Sequence, residues 1–383
     1  MNKTEICSYA GKCGGCQLLN LTYGEQLQLK QKEAVRLLGR FRKVEDIIPS
    51  PQQFHYRNKA QYAFAPVRGK SGIVMGVYQS STHKIVDIEN CLNCDERADK
   101  IAQTVKKLLI SFKLKPYDET TGQGFLRHLL IKSAYRTGEI MVVLVTGTAV
   151  FPKKRSFINA LLSRHPEITT VIQNVNGRYT SMVLGDKSEV LYGSGKITDE
   201  LCSLKFRISP KAFYQINAFQ TETLYNTALG FAGFKGAETV IDAYCGTGTI
   251  GLIAASKVKS VIGVEINRDA VRDARENAVL NKIGNISFYA ADAGKFMREL
   301  AKRGEKIDAV IMDPARAGSD IPFLSSLVKL SPEKVVYISC NVETLARDLM
   351  YLSKNGYKVR KIQPVDMFPN TNHIECVVLL SGK

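Results

Sequence analysis

The chain has 383 residues, of which 45% are hydrophobic, and its formal net charge is +17. This length and composition suffice for two domains with separate cores and exclude an intrinsically disordered chain. The sequence contains no apolar run of membrane-spanning length and no signal-peptide pattern, so we expect a cytoplasmic protein. The positive charge favours a polyanionic partner, with nucleic acid as the leading candidate and a merely soluble basic surface as the alternative.

The amino-terminal region carries a cluster of thiols. Cys7, Cys13 and Cys16 lie close together, and a fourth cysteine is available far along the chain as Cys91 or Cys94. In a reducing compartment, clustered cysteines indicate metal ligands rather than disulfides. Three close cysteines and one distant cysteine suit either a zinc ion or an iron–sulfur cluster.

Residues 1–205 are predicted to form a mainly antiparallel β domain with a few helices, because short β-rich runs alternate with turn residues. A basic amphipathic helix is predicted within about residues 20–45, and it can pack on the domain that follows. The stretch 54–70 mixes aromatic residues with arginine and lysine, as RNA-binding surfaces do. An ordinary strand with one solvated basic face is the alternative for this stretch.

Residues 206–383 alternate short β-rich runs with segments of helical periodicity, which predicts an α/β fold with a doubly wound, mostly parallel sheet. The clearest helix is predicted over 268–284, with Asn267 as its N-cap and Gly284 at its end. The last two β-rich runs have almost nothing between them, so we expect an antiparallel hairpin at one edge of the sheet.

A glycine-rich turn, DAYCGTGTIG, follows the first strand of this sheet and places Gly246 and Gly248 where the backbone must turn tightly beside a ligand. Glu265 ends the next strand, where a carboxylate can bind ribose hydroxyls, and Asp292 ends the strand after it. Tyr244 is expected to pack in the turn and to wall the ligand. These features describe the S-adenosylmethionine pocket of a class I methyltransferase. A dinucleotide site is less favoured, because no second half of a dinucleotide fold follows.

Three further residues follow or begin strands of the same sheet. Cys340 stands between a strand and a helix amino terminus that lowers the pKa of a thiol, which makes it a candidate nucleophile. A small buried hydrophobe is the alternative for an isolated cysteine. Asp313 ends the fourth strand and faces the predicted pocket, with Arg316 available for a carboxylate or phosphate. Glu375 begins the final strand, as either a general base or a solvated edge charge.

The blocks DAYCGTGTIG, MDPARAG, SCNVETLARD and DMFPNTNHIE, in this order, resemble the RNA uracil-5-methyltransferase family, which makes 5-methyluridine in ribosomal and transfer RNA. The resemblance covers nearly the whole chain. This sequence departs from the family pattern at two places. It has DPAR where DPPR is usual, and in DMFPN an asparagine follows the proline where a histidine is common. The resemblance implies that Cys340 is the nucleophile and Glu375 the base. The residues that it implies for contact with the methyl donor are Gln215, Tyr244, Glu265, Asp292 and Asp313.

The same resemblance implies a 4Fe-4S cluster, whose ligands would be Cys7, Cys13, Cys16 and Cys91. We expect no separate amino-terminal TRAM barrel, because the cysteine cluster begins at residue 7. The chain therefore looks most like the shorter enzymes of 23S ribosomal RNA, and an enzyme for uridine 54 of transfer RNA is the alternative. We expect RNA as the partner, no membrane, no obligate protein partner and a monomer.

Two other functions are weighed against this one. An exocyclic-amine methyltransferase would need a motif of the NPPY type at Asp313 and no Cys340, so it is disfavoured. A non-catalytic iron–sulfur protein that binds RNA would keep the pocket only as structure. It predicts RNA binding that the methyl donor does not affect. His128 and His373 are expected to be structural rather than catalytic.

Overall fold

The computed structural model describes residues 7–67, 72–79 and 82–382. The chain divides into two compact units, of which the first comprises residues 1–20, 52–200 and 207–211, and the second residues 21–51, 201–206 and 212–383. Each unit has its own sheet; within the described ranges, the first unit has one hydrophobic core and the second has two. In the described ranges, no helix is both long enough and apolar enough to cross a lipid bilayer.

The helices of the described ranges are, in chain order, α1 Tyr23–Leu38, α2 Glu96–Ser111, α3 Lys154–Leu162, α4 Ala218–Ala232, α5 Thr249–Ala255, α6 Arg268–Leu280, α7 Ala293–Lys302, α8 Ile321–Leu330 and α9 Val342–Lys354. The strands are β1 Lys59–Pro66, β2 Ile73–Tyr78, β3 Ile85–Asp87, β4 Leu126–Ser133, β5 Ile140–Thr146, β6 Ile168–Val175, β7 Lys187–Tyr192, β8 Ile197–Leu201, β9 Leu204–Ile208, β10 Thr239–Ala243, β11 Ser260–Glu265, β12 Ile286–Ala290, β13 Ala309–Met312, β14 Lys334–Ser339, β15 Lys358–Val365 and β16 Glu375–Ser381. Strands β8 and β9 form a separate two-stranded sheet.

The sheet of the first unit is mainly antiparallel, as predicted. Its seven strands lie in the order β3-β2-β1-β4-β5-β6-β7, and β5 and β6 run parallel with α3 as their crossover. Apolar residues of α2 and α3, among them Ile101 and Phe157, share one core with Leu129 and Val142 of the sheet. Because β4 and β5 lie at the centre, all of their residues are buried.

The second unit is a doubly wound α/β sheet, which confirms the predicted fold class. Its strands lie in the order β12-β11-β10-β13-β14-β16-β15, and the first five of these are parallel. Strand β16 runs antiparallel between β14 and β15, so the predicted hairpin is present at the sheet edge. Helices α4, α5 and α6 pack in one core and α7, α8 and α9 in another. Two separate cores are what helices on both faces of a sheet produce.

This topology brings one end of several strands to the same edge of the sheet. The parallel strands β10, β11, β13 and β14 all point their carboxyl ends there, and antiparallel β16 begins there. Tyr244, Glu265, Asp313, Cys340 and Glu375 lie at these five strand ends. In open α/β sheets, this edge is where ligands bind.

Candidate active site

Cys340 and Glu375 are neighbours across the pair of strands β14 and β16. Ser339 pairs with Cys376 in the antiparallel register, so the next residue is Cys340 on one strand and Glu375 on the other. Asp313 follows the neighbouring strand β13, and its carboxylate interacts electrostatically with both groups. The fold therefore brings the predicted nucleophile, the predicted base and a second carboxylate together.

The thiol of Cys340 is held in its neutral form at neutral pH. Burial, reinforced by the carboxylates of Glu375 and Asp313, raises its pKa to about 11, whereas Arg316 acts in the opposite direction. The prediction that the amino terminus of α9 lowers this pKa is therefore wrong. Loss of water and two nearby carboxylates outweigh the partial positive charge of a helix end.

The pKa values of the two neighbouring carboxylic acids are raised as well. Burial raises the pKa of Glu375 well above its ordinary value, and Asp313 raises it further. Burial likewise raises the pKa of Asp313 to about 7, against the effect of a hydrogen bond that Gln215 Nε2 donates to Asp313 Oδ2 at 3.4 Å. Because a negative charge on one of these three groups raises the pKa of the other two, their protonation states are coupled. A proton that leaves one group during a reaction can therefore be taken up by another.

The glycine-rich turn between β10 and α5 has an exceptional backbone conformation. Tyr244, Gly246 and Gly248 have φ angles of +63°, +54° and +80°, which place three of five consecutive residues in the left-handed region. The Gly246 N–H donates to Glu265 Oε2 at 3.2 Å and ties the turn to the end of β11. A Cβ added at Gly248 would lie 2.7 Å from Cζ of Phe288, so this position has no room for a side chain.

We expect Gly248→Ala to lower both stability and affinity for the methyl donor. The left-handed φ and the close ring of Phe288 together should cost about 1–3 kcal/mol. That corresponds to a fall in the melting temperature of several degrees, at about 2–4 °C per kcal/mol. Gly246→Ala is the matched control, because its Cβ would meet no atom within 4 Å and only the backbone cost remains. Thermal unfolding with and without S-adenosylmethionine measures both effects. Equal shifts in the two variants would contradict the steric argument.

Glu265 and Asp292 lie where the sequence predicts, but local structure already uses part of each carboxylate. Glu265 Oε1 accepts a hydrogen bond from the Asn267 N–H at 2.8 Å. Asp292 is exposed and caps α7, since its Oδ1 accepts from the Lys295 N–H at 2.8 Å. These bonds hold both side chains in place at the ends of neighbouring strands. A carboxylate beside the glycine turn suits the ribose hydroxyls of S-adenosylmethionine.

Tyr244 packs as expected beside this pocket. Its ring lies against that of Phe323, with the centroids 4.8 Å apart, and its hydroxyl donates to Ser319 Oγ at 3.3 Å. Asp242, which the sequence analysis did not single out, is buried beneath the turn. Its Oδ2 accepts from the Gly251 N–H at 3.0 Å and so fixes the start of α5, and burial raises its pKa to about 8. The signal in the sequence was an aspartate within an apolar strand.

A cleft of about 500 Å³ opens at Cys340. Neither α1 nor the segment before Glu375 was predicted to belong to the site, yet both line this cleft. Its polar lining comprises Lys30, Lys32, Glu33, Arg36, Arg316, Asn341, Glu343, Asn372 and His373. The Lys30 ammonium is buried against Asp366, and the other cations still outnumber the carboxylates of this lining, which suits an anionic substrate such as RNA. His373, expected to be structural, therefore lines the same cleft as the predicted nucleophile.

The prediction of a base-stacking surface at 54–70 is wrong for its aromatic residues. Tyr56, Tyr62 and Phe64 are buried in the first unit, so their rings have no free face for a base. The Tyr62 hydroxyl donates to Asp99 at 2.6 Å. Two of the basic residues in this stretch, Arg68 and Lys70, lie outside the described residues. His128 is buried as well, and burial lowers its pKa to about 4, so it is a neutral structural residue.

The predicted cluster ligands are neighbours in the first unit. Within the described ranges, no three His, Cys, Asp or Glu side chains are arranged as ligands of a metal ion. The thiols are nevertheless close, because Cys91, Cys13 and Cys7 add to the effect of burial in raising the pKa of Cys16 to about 12. The Asn93 side-chain amide donates to Cys16 Sγ at 3.1 Å, as groups around a metal thiolate do. Thiols are the ligand type that zinc and iron–sulfur clusters prefer, but these side chains do not stand in a ligand arrangement in the described ranges.

The sheet order, the glycine turn and the acidic strand ends define an S-adenosylmethionine-dependent methyltransferase of class I. The sequence profile of the tRNA (uracil-5-)-methyltransferase family matches residues 22–383, and the chain belongs to this family. It is thus an S-adenosylmethionine-dependent RNA methyltransferase of the uracil-5 type. This confirms the resemblance read from the sequence.

Individual relatives agree with this membership. A protein of Clostridium tetani named as an uncharacterized RNA methyltransferase is 43% identical over 379 residues, which cover 98% of this chain and 82% of that protein. A protein of Bacillus cereus with the same name is 42% identical over 384 residues, which cover 99% of this chain and 83% of that protein. The crystal structure of the Pyrococcus abyssi tRNA (uracil-54, C5)-methyltransferase with S-adenosyl-L-homocysteine matches with a TM-score of 0.80 and 29% identity, covering 97% of this chain and 86% of that chain.

Proposed function

We propose that the protein methylates C5 of a specific uridine in RNA through a covalent adduct between Cys340 and C6 of the uracil ring. The observation that carries this proposal is the register that sets Glu375 beside Cys340, which lines a cleft with more cations than carboxylates. A thiol and a carboxylic acid side by side are the two groups that this reaction requires.

Each step has a residue of this chain to perform it. Uracil C5 is a weak nucleophile, so the Cys340 thiolate first adds to C6 and makes C5 enolate-like. S-adenosylmethionine, when bound, supplies an electrophilic methyl group. The Glu375 carboxylate then removes the C5 proton, the C5–C6 double bond forms again, and the electrons of the C6–S bond return to Cys340. The uridine must be flipped or looped out, because Cys340 needs access to the face of the ring.

We assign the binding of the methyl donor to the other strand ends of this edge. Glu265 would hold the ribose hydroxyls, and Asp292 lies one strand farther along for the adenine end. Gly246 and Gly248 let the backbone approach the donor, which the positive φ angles of the turn support. The remaining residues assigned to the donor are Gln215, Tyr244 and Asp313.

We favour 23S ribosomal RNA as the substrate, on the resemblance of the cysteine-rich start and the motif blocks of this sequence to enzymes that modify that RNA. Uridine 54 of transfer RNA is the second candidate. The Pyrococcus abyssi enzyme, whose structure matches 97% of this chain, is named as a tRNA (uracil-54, C5)-methyltransferase. We propose that residues 1–205 bind RNA and that 206–383, with the helix at 20–45, transfer the methyl group. We expect a cytoplasmic monomer.

We further propose that a 4Fe-4S cluster is held by Cys7, Cys13, Cys16 and Cys91. Their mutual proximity and the amide donated to Cys16 support a thiolate cluster, although zinc has the same ligand preference. No step above needs an oxidant or a reductant, so the cluster would stabilise the first unit. Anaerobic purification should give about four irons and four sulfides per chain. Zinc without iron would contradict the assignment.

The function is tested with RNA in which uridine is replaced by 5-fluorouridine. Glu375 cannot remove fluorine from C5, so the reaction should stop at a covalent protein–RNA adduct that survives denaturation. Incubation with total RNA and S-adenosylmethionine, then mass spectrometry, should place the adduct on Cys340, and sequencing the attached RNA names the substrate. If folded, metal-loaded protein binds RNA and forms no adduct, the non-catalytic RNA-binding function would replace this one.

We expect the rate of adduct formation to rise with pH. Below a thiol's pKa the thiolate fraction grows about tenfold per pH unit, and the pKa of Cys340 is raised to about 11. The rate should therefore increase roughly a hundredfold from about pH 6.5 to about pH 8.5. Glu375, whose pKa is also raised, loses its proton in the same direction and reinforces the rise in turnover. Quenched-flow sampling of the adduct measures this, and a flat profile would mean that RNA binding itself ionises the thiol.

A further inference from the structure

The buried face of α1 is polar at its amino-terminal end, which is unusual for an amphipathic helix. Tyr23, Gln26 and Lys30 follow one another at spacings of three and four residues and so share one face. Ala34 and Leu38 continue this face as ordinary core residues. Lys30 is 0% exposed and Gln26 is 3% exposed. Burying an ammonium group costs desolvation free energy and side-chain entropy, so core packing alone does not account for this face.

Lys30 and Tyr23 both bind the first residues of the segment Asp366–Ile374, here called the base loop because Glu375 follows it directly. Lys30 Nζ donates to Asp366 Oδ1 at 2.6 Å and to the Phe368 carbonyl at 3.0 Å. The Tyr23 hydroxyl donates to Asp366 Oδ2 at 2.8 Å. Both oxygens of this carboxylate are thus held by α1. Asp366 itself follows strand β15 directly.

Gln26 binds the middle of the base loop at Asn370. Its side-chain amide donates to Asn370 Oδ1 at 3.2 Å, and its Oε1 accepts from the Asn370 N–H at 2.9 Å. Asn370 has a φ of +68°, in the left-handed region that asparagine adopts more readily than most residues other than glycine. Two hydrogen bonds with one buried side chain hold the middle of the loop in this conformation.

We propose that Tyr23, Gln26 and Lys30 are positioning residues for catalysis: they fix the base loop and so aim the Glu375 carboxylate at the C5 proton. The base loop both precedes Glu375 and, through Asn372, His373 and Ile374, lines the cleft at Cys340. Buried ion pairs contribute little net stability compared with apolar residues of similar volume, which points to placement of the loop as their use. This inference rests on the proposed function.

The affected step can be separated from the others. Cys340 adds to C6 and the methyl group reaches C5 before Glu375 is needed. The C5 hydrogen then leaves as a proton to Glu375, its electron pair forms the C5–C6 double bond, and the C6–S bond breaks with its electrons on sulfur. A misplaced base loop should leave the first part intact and slow the second. The variant should therefore accumulate methylated RNA bound covalently to Cys340.

The test compares Lys30→Met with the wild-type protein on RNA whose uridine carries tritium at C5. Methyl incorporation reports transfer, and tritium release to water reports proton removal. A displacement of about 1 Å at a reacting group costs about a hundredfold, so we expect kcat to fall about 10-fold to 100-fold while KM for RNA stays within about twofold. Methyl incorporation should run ahead of tritium release, with labelled adduct visible on denaturing gels.

Lys334→Met is the matched control, because Lys334 Nζ donates to the Ala232 carbonyl at 2.8 Å and lies at the opposite end of β14 from Cys340. It should keep the two rates equal. If Lys30→Met does not fold, Tyr23→Phe takes its place. Tyr357→Phe is then the control, since the Tyr357 hydroxyl donates to the Pro332 carbonyl at 3.2 Å and lies at the opposite end of β15 from Asp366.

Three results are possible with folded variants. Excess methylation over tritium release in Lys30→Met or Tyr23→Phe, and not in the controls, supports the inference. Transfer and release that slow by the same factor, without adduct, would reduce the network to a structural role and overturn it, as would unchanged kinetics. The proposed function fails separately: in that case wild-type protein forms no adduct with 5-fluorouridine RNA.

Discussion

Replacing Cys340 with alanine should abolish methyl transfer to RNA while leaving the fold and RNA binding intact. The half-buried thiol lies at the cleft and outside the hydrophobic cores, so its loss costs little stability. Without the C6 adduct, C5 does not become nucleophilic, and removal of a covalent nucleophile lowers turnover by at least about 10⁴-fold. The measurement is incorporation of labelled methyl groups into RNA under multiple turnover.

Cys202→Ala serves as the control for this substitution. Cys202 is a half-buried thiol in the same unit, on the turn between β8 and β9, and it has no place in the proposed reaction. Its replacement should leave methyl incorporation within about twofold of wild type. Retained incorporation in Cys340→Ala, together with loss of RNA affinity, would show that the cysteine helps to bind the substrate and is not the nucleophile.

The strand-end residues could be predicted because regular periodicity fixes both element type and direction. Once β10, β11 and β13 are identified as strands of one parallel sheet, their last residues must lie at the same edge of that sheet. Glu265 and Asp313 follow from that rule alone. The end of α6 was predicted wrongly. The helix was expected to end at Gly284, but it stops at Leu280, and Lys282 takes the left-handed φ of +56° that a glycine would adopt more easily.

The pairing of Cys340 with Glu375 lay beyond the sequence pattern. A hairpin of β15 and β16 was predictable, but its insertion with β16 beside β14 is a choice made by tertiary packing. From the alternation of residues alone, Glu375 could equally be a solvated charge at the sheet edge. Its exposure of only 2% excludes that alternative. The raised pKa of Cys340 was likewise hidden, since it depends on carboxylates that come from other strands.

Contacts between distant segments were the least accessible. Lys30 and Asp366 are 336 residues apart, and an amphipathic helix gives no sign that one of its charged residues will be fully buried. Aromatic residues mixed with arginine looked like an RNA surface at 54–70. Alternation in β1 instead turned Tyr62 and Phe64 into the core of the first unit. In each case, composition described the residue types and packing decided which side faced water.

Replacing Glu375 with glutamine should trap the enzyme after one methyl transfer. Glutamine cannot accept the C5 proton, so methylated RNA should remain bound covalently to Cys340 and turnover should fall by at least about 10³-fold. Incubation with ordinary RNA and labelled methyl donor should therefore give a labelled adduct with no need for 5-fluorouridine. Glu333→Gln is the control, because Glu333 is exposed, lies at the end of β14 opposite Cys340 and should remain fully active. An adduct-free, inactive Glu375→Gln protein would instead place Glu375 in an earlier step.

The same substitution should raise stability at alkaline pH. The pKa of Glu375 is raised in the folded protein by burial, so the folded state holds this proton more tightly than the unfolded state. Stability is therefore lost as pH rises above the unfolded pKa of about 4.3 and through the raised folded value. Glutamine removes that loss, so the variant should melt higher than wild type at about pH 8, with the gap closing towards about pH 5. If the protein becomes more stable when Glu375 is replaced, the carboxyl group is kept at a cost in stability, and its use is catalytic.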